Sequence, residues 1–140
     1  MYHNILVPIS FDPDRDVSAP LKLAKLLATP EAKITLLHVV EQIPAYAISY
    51  MPVEYMAQAR AALESELTAL AKTLPNATGV VVEGHSGRSI LDWAEQNKPD
   101  LVIIASHRPG MQDLLLGSTA SQVVRHAPCA VHVVRCLSIY

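Results

Sequence analysis

The stretch Leu101-Val102-Ile103-Ile104-Ala105-Ser106-His107-Arg108-Pro109-Gly110-Met111-Gln112-Asp113-Leu114-Leu115-Leu116-Gly117-Ser118-Thr119 decides how this chain folds. Its first five residues are apolar without alternation. A strand with one wet face alternates, whereas an unbroken short apolar run reads as a strand covered on both faces. Arg108-Pro109-Gly110 then breaks regular structure. Gly117-Ser118-Thr119 has the chemistry of a helix start. A strand buried on both sides, a turn and a helix are the repeating parts of a parallel α/β sheet.

The same pattern extends outward. Asn4–Ile9, Lys33–Val40, Gly79–Glu83 and Ala130–Arg135 read as four further strands. Helical segments are expected between them. The first starts at Asp16 or Pro20 and ends at Ala28; Pro20 is tolerated best in a first turn and pulls the start later. The second spans Val53 to Leu74, where Met56, Ala59, Leu63, Leu67, Leu70 and Leu74 step by three and four and share one face. The third spans Arg88 to Asn97 around Ile90, Leu91 and Ala94. The fourth spans Thr119 to His126, with Val123 and Val124 expected inward. Strands alternating with helices imply parallel pairing through right-handed crossovers. Glu41 to Pro52, with Pro44, Tyr46, Tyr50 and Pro52, is long for a link and reads as a surface loop, a lid or a partner-binding surface.

The chain has 140 residues, enough for one domain, and 51% are hydrophobic, enough for a real core. Charged residues make up 17%, well short of a disordered chain, and the net charge is -2. With a pI near 6.3, no basic face for nucleic acid is expected. No apolar run is long enough to span a membrane. Met1-Tyr2-His3-Asn4-Ile5 has no basic n-region, so no signal peptide is expected. Cys129 and Cys136 are too far apart on one strand to bridge each other, and a reduced, cytoplasmic setting follows.

In open parallel sheets, ligands bind at the carboxyl ends of strands where the strand order reverses. The first and fourth strands are the candidates. Gly117, Ser118 and Thr119 at a helix start offer free backbone N–H groups and hydroxyls, and His107 and Arg108 offer donors and charge, so this segment reads as an anion cradle. Gly110 lets the loop fold back. The plainer alternative is that Ser118 is an N-cap and Gly117 a turn residue.

Several segments together resemble the universal stress protein family. Ile5-Leu6-Val7-Pro8-Ile9-Ser10 resembles the family's first strand, and Leu36-Leu37-His38-Val39-Val40 its second. Gly84-His85-Ser86-Gly87-Arg88-Ser89-Ile90 resembles its Gly-led approach to the third helix. The most specific match is Ala105-Ser106-His107-Arg108-Pro109, then Leu115-Leu116-Gly117-Ser118, then Val123-Val124-Arg125-His126-Ala127-Pro128-Cys129-Ala130-Val131. The Ser-His-Arg-Pro form resembles the F/G-like subgroup. The resemblance implies a three-layer sandwich like that of the adenine nucleotide alpha hydrolases, with strand order 3-2-1-4-5. It places the family domain over residues 1–136, with 137–140 as a tail.

It also implies ATP, with Mg2+ as a companion; AMP or an empty pocket is the alternative. Carried over, the nucleotide-binding residues are Pro8, Ile9, Ser10, Asp12, Val39, Ala105, Ser106, His107, Arg108, Gly110, Gly117, Ser118 and Thr119: Ser118, Thr119 and the Gly117 amide hold the triphosphate, Arg108 or His107 assists, and Ser10 and Val39 frame the adenosine. ATP-binding members carry a Gly-x-x-Gly pair, a spacer and Gly-Ser or Gly-Thr. Here Ala105 and Arg108 stand at the first two glycines, and the spacer Pro109–Leu116 is one residue shorter. Ser10 stands where the family usually has an Asp that reads the adenine edge; Asp12, two residues on, offers a carboxylate. The resemblance further implies a homodimer through the last strand, at Val131, His132, Val133, Val134 and Arg135, and a regulatory protein partner; neither nucleic acid nor membrane is expected as a partner.

Other chemistries find less support. His126, Cys129, His132 and Cys136 have metal-like spacing, but strand alternation separates Cys129 from the other strand side chains, so packing rather than zinc is expected. Gly84-His85-Ser86-Gly87 has the wrong spacing for a nucleophile elbow, and no P-loop is present. Asp12 and Asp113 are the only carboxylates near the proposed site, so efficient hydrolysis is not expected; slow turnover or autophosphorylation at Ser118 or Ser106 is the lesser possibility. A phosphoacceptor receiver domain lacks its Asp and Lys at Glu83 and Arg135. A non-nucleotide interaction module of the same fold is the remaining alternative.

Overall fold

The computed structural model describes residues 1–11, 17–41, 53–105 and 117–135. In chain order the elements are β1 (Tyr2–Pro8), α1 (Ser18–Leu27), β2 (Ala28–Val40), α2 (Val53–Ala71), β3 (Ala77–Glu83), α3 (Ser86–Asn97), β4 (Leu101–Ala105), α4 (Ser118–His126) and β5 (Ala130–Val134). The strands pair in parallel in the order β3-β2-β1-β4-β5.

The continuous apolar runs follow from helices on both faces of the sheet. Ile5 and Val7 of β1 pack with Leu21 and Ala24 of α1 and with Leu67 and Ala71 of α2. Leu6, between them in sequence, points the other way and packs with Ile90 and Ala94 of α3 and Ala120 and Val123 of α4. Strand side chains alternate in direction, so a strand inside a three-layer sandwich must be apolar at every position. β4 obeys the same logic: Leu101 and Ile103 join the first cluster, Val102 and Ile104 the second.

Four expectations are adjusted by the structure. β2 begins at Ala28 rather than Lys33, because its first residues pair irregularly with β1 through a register shift between Tyr2 and Asn4. Pro30 lies in that irregular stretch, and a residue without an N–H is tolerated in a strand where the ladder is interrupted. α2 ends at Ala71 rather than Leu74. Pro75 disfavours a helical Leu74, and the turn closes instead with Leu74 N–H donating to the Ala71 carbonyl at 3.1 Å. Ala59 is exposed, so the shared face of α2 is buried only towards its carboxyl end, at Leu67 and Ala71. Val124 is 44% exposed while Val123 is fully buried. Neighbouring positions on a helix differ by about 100°, so Ala120 and Val123 make the stripe and Val124 cannot.

The amino end of the sheet is clamped by Asp100. Its carboxylate accepts the His3 N–H at 2.8 Å and the Asn4 N–H at 3.0 Å. Asn4 Nδ2 in turn donates to the carbonyls of Asn97 and Lys98. Lys98 stands in a left-handed conformation, φ 50°, and closes α3 ahead of Pro99. Among the described residues, no helix is long and apolar enough to cross a membrane. Tail residues 137–140 and most of the Glu41–Pro52 segment lie outside the described residues.

Candidate functional site

Strand order determines where a crevice opens. From β1 the chain builds β2 and β3 to one side, then crosses and builds β4 and β5 to the other. β1 and β4, where the order reverses, lie side by side, and the carboxyl edge between them is where a ligand crevice is expected in such a sheet. A cavity of about 620 Å³ lies there.

β1 contributes Pro8 and then Ile9 and Ser10 to its wall; β2 contributes Leu37, His38 and Val39. β4 contributes Ile104 and Ala105, and the start of α4 contributes Gly117, Ser118 and Thr119. The structure thus brings together Pro8, Ile9, Ser10, Val39, Ala105, Gly117, Ser118 and Thr119 of the residues singled out from the sequence. Asp12, Ser106, His107, Arg108 and Gly110 lie outside the described residues, as does Asp113.

The start of α4 differs from the plainer reading of Ser118. The N-cap is Gly117, with φ -63° and ψ 160°, and no side chain caps the helix. Ser118 is already the first helical residue, so its hydroxyl is not used as a cap. The first backbone N–H groups of the helix lie at the cavity wall, where the dipole is positive.

A second helix start, that of α3, reaches the same cavity through His85 and Ser86. Ser86 Oγ and Thr119 Oγ1 are 2.9 Å apart, a partly buried hydroxyl pair that ties the two starts together. Gly87 faces Gln122 of α4, whose side-chain end would have to swing aside for a Cβ at this position. Gly84, at φ 148°, bends the chain out of β3 towards α3, and its N–H donates to the Val40 carbonyl at 2.9 Å. His85 and Ser86 were read from the sequence as a failed nucleophile elbow and as part of the family-like approach to the third helix, not as wall residues. Their place in the wall depends on α3 lying against α4, which no local spacing encodes.

His38 is the other wall residue whose sequence reading went no further than the strand it sits on. Its Nδ1 lies 2.8 Å from the Ile9 carbonyl. A carbonyl oxygen only accepts, so Nδ1 carries the proton and donates. Phe11 packs against the same ring, with centroids 4.9 Å apart and planes inclined at 59°. Among the described wall residues, the ionisable groups are His38, Glu41 and His85.

Cys129 lies away from this chemistry. It precedes β5 as Asp100 precedes β4, at the amino end of the sheet, and it packs on the second core cluster. Burial pushes its thiol up, and the negative charge of Asp100 adds to the shift, so the thiolate is scarce at neutral pH. Among the described residues, no three His, Cys, Asp or Glu side chains gather to hold a metal ion. Cys136 is outside them.

Comparison with known proteins agrees with this geometry. A family model described as the Universal stress protein family matches residues 1–135. The chain is 34% identical to universal stress protein A homolog 2 of Coxiella burnetii, over 96% of this chain and 95% of that protein. It is 28% identical to universal stress protein G of Salmonella typhimurium, over 96% of this chain and all of that protein. Among solved structures it resembles universal stress protein UspA from Lactobacillus plantarum, at TM-score 0.70 and 30% identity, covering 96% and 98% of the two chains. The protein MJ0577 shares the fold at TM-score 0.82, with 23% identity and 99% of each chain covered. Two further chains of the same fold were solved with a nucleotide. An Arabidopsis thaliana family member with AMP bound has TM-score 0.63 at 16% identity, covering 97% and 93%. A universal stress protein in complex with cAMP has TM-score 0.68 at 17% identity, covering 95% and 97%.

Proposed function

The chain belongs to the universal stress protein family, and on that premise we propose that it is a cytoplasmic regulatory protein of the stress response that binds ATP between β1 and β4 and acts by binding rather than by turnover. One observation carries the reading: Gly117, Ser118 and Thr119 open α4 directly on the cavity at the strand-order reversal. Helix N–H groups without intrahelical partners, a positive dipole end and two hydroxyls suit a chain of phosphates. Ser10 and Val39 line the same cavity and frame the adenosine. A volume of about 620 Å³ suits a small-molecule ligand.

Adenine nucleotides as a class are supported by the AMP and cAMP held in neighbours of the same fold. ATP in particular rests on the Gly117-Ser118 match to the family's phosphate motif. Mg2+ would accompany the phosphates, and Glu41 is the described carboxylate on the wall. Efficient phosphoryl transfer needs a metal-holding carboxylate and a base aimed at the nucleophile; slow hydrolysis or autophosphorylation at Ser118 or Ser106 is the lesser reading. An interaction module that binds no nucleotide is favoured by one feature: the wall presents the uncharged Ser10 where the family usually has an Asp.

The same reading gives the protein a second copy of itself as partner, through β5. Both β3 and β5 are sheet edges. On β3, Arg60 of α2 donates to the Val81 carbonyl at 3.2 Å and pairs with Glu83. Such a charged side chain blunts an edge, which leaves β5 as the better template for strand pairing. A regulatory protein partner completes the proposal, with neither nucleic acid nor membrane involved. Calorimetric titration with ATP and AMP tests the nucleotide reading. Micromolar binding is expected, and no heat from either at millimolar ligand overturns it in favour of the interaction module.

A further inference from the structure

We infer that His38 is a positioning residue that holds the chain leaving β1 so that Ser10 faces the adenine side of the cavity. The inference rests on the nucleotide reading for its ligand, but its structural part stands on contacts alone.

The β1–β2 ladder runs in regular register to Pro8 opposite Leu37, and Ile9 N–H extends it by donating to the Leu37 carbonyl at 2.8 Å. The next group out, the Ile9 carbonyl, takes its hydrogen bond from the His38 side chain. Partly buried carbonyls need a donor, and here a side chain supplies it. The Phe11 ring then rests on the imidazole from beyond. Ile9 is buried in the first core cluster and also reaches the cavity wall, Phe11 packs against that cluster, and Ser10 between them lines the cavity. A residue between two anchored neighbours has its direction constrained by them. His38 itself lines the cavity, so the anchor and the residue it aims share one wall.

The site therefore comes with its adenine side already ordered, and binding need not supply that order. Three variants separate the parts played by His38. His38→Phe keeps an aromatic ring against Phe11 and removes the donor. His38→Asn keeps a donor near the position of Nδ1 and removes the ring. His38→Gln places its amide near Nε2 and supplies no donor to Ile9.

The experiment combines calorimetry with AMP, adenosine and tripolyphosphate, thermal melting, and amide hydrogen exchange at Ser10 and Phe11. His38→Phe and His38→Gln should weaken AMP and adenosine roughly five- to tenfold, the effect of one hydrogen bond. Tripolyphosphate, which meets only the α4 wall, should bind as to the parent chain. His38→Asn should bind AMP within about twofold of the parent. Exchange at Ser10 and Phe11 should quicken in the Phe and Gln variants and not in the Asn variant. AMP binding unchanged in a folded His38→Phe overturns the inference, as does an equal loss for tripolyphosphate. Recovery by Phe but not by Asn overturns the hydrogen bond in favour of ring packing. A parent chain that binds no adenine nucleotide overturns the nucleotide reading instead, and the exchange arm then decides the structural role of His38 by itself.

Discussion

Replacing Thr119 with Val separates the phosphate wall from the fold that carries it. Valine has the shape of threonine and nearly its helix propensity, so the change removes one hydroxyl and little else. Thr119 Oγ1 lies 2.9 Å from Ser86 Oγ. One hydroxyl hydrogen lies along that line, and the other is left to serve a ligand. A hydrogen bond of this kind contributes about 0.5–1.5 kcal/mol net. The pair is only partly buried, which places the cost of Thr119→Val in the lower half of that range. Ser86→Ala should cost a similar amount, and the double variant no more than either single, because the same bond is removed once. The effect on ligand is larger and separable. A hydrogen bond to a charged phosphate oxygen contributes about 1.5–3 kcal/mol, so ATP should bind ten- to a hundredfold more weakly to Thr119→Val. Adenosine, with no phosphate, should bind as before. Urea denaturation reads the first quantity and calorimetric titration the second. ATP affinity unchanged in the folded variant, or an equal loss for adenosine, refutes the assignment of this wall to phosphate.

Val133→Pro deletes an N–H from the edge strand, and the parent chain should elute as a dimer on sizing chromatography where this variant elutes as a monomer; an unchanged dimer in the folded variant counts against pairing through β5. Asp100→Asn should cost on the order of 1 kcal/mol near neutral pH, because an amide offers one acceptor where the carboxylate serves two backbone N–H groups. Partial burial of the Asp100 carboxyl acts to raise its pKa, but the N–H donors of His3 and Asn4, its own N–H and the His3 charge outweigh it and hold the pKa below 3.8. That stabilisation is complete above the unfolded value and is lost as pH falls through the lower folded value, so denaturant midpoints of parent and variant should converge in acid; a gap that stays constant down to the most acidic pH at which both remain folded counts against the linkage. Gly79→Ala places a Cβ 2.9 Å from Leu67 Cγ and 3.2 Å from the Leu67 backbone carbon. The overlap should cost about 1–3 kcal/mol, offset by about 0.4–1 kcal/mol from a stiffer unfolded chain. A denaturant midpoint at or above the parent's would show that α2 moves off β3 without resistance.

Much of this architecture is local information. Leu101–Ala105 reads as a strand covered on both faces, and the structure places β4 over the same five residues. Ile90 with Ala94, and Ala120 with Val123, are helical spacings, and each pair is buried together. The helix starts at Ser86 and Ser118 lie within two residues of where the turn chemistry of Gly84 and Gly117 puts them. Gly117–Thr119 was picked out by its helix-start chemistry and Pro8–Ser10 as the exit of the first strand, and these residues line the cavity; Val39, which lines it too, came only from the family resemblance. The site was not legible where the wall is made by elements meeting: His38 reaches Ile9 across 29 positions, and Ser86 reaches Thr119 across 33.

The sequence by itself therefore determined the unbroken run of Leu101–Ala105, the helix start at Gly117-Ser118-Thr119 and, through strand–helix alternation, the carboxyl edge at which a ligand could enter. These depend on periodicity, backbone donors and turn residues, all properties of neighbours along the chain. Only the tertiary structure decided that a second helix start closes the cavity, that Ser118 leaves the cap to Gly117, that Val124 faces out, and that His38 holds the exit of β1. Those depend on which elements pack against which, and packing is settled by the shape of the whole core rather than by any stretch of it.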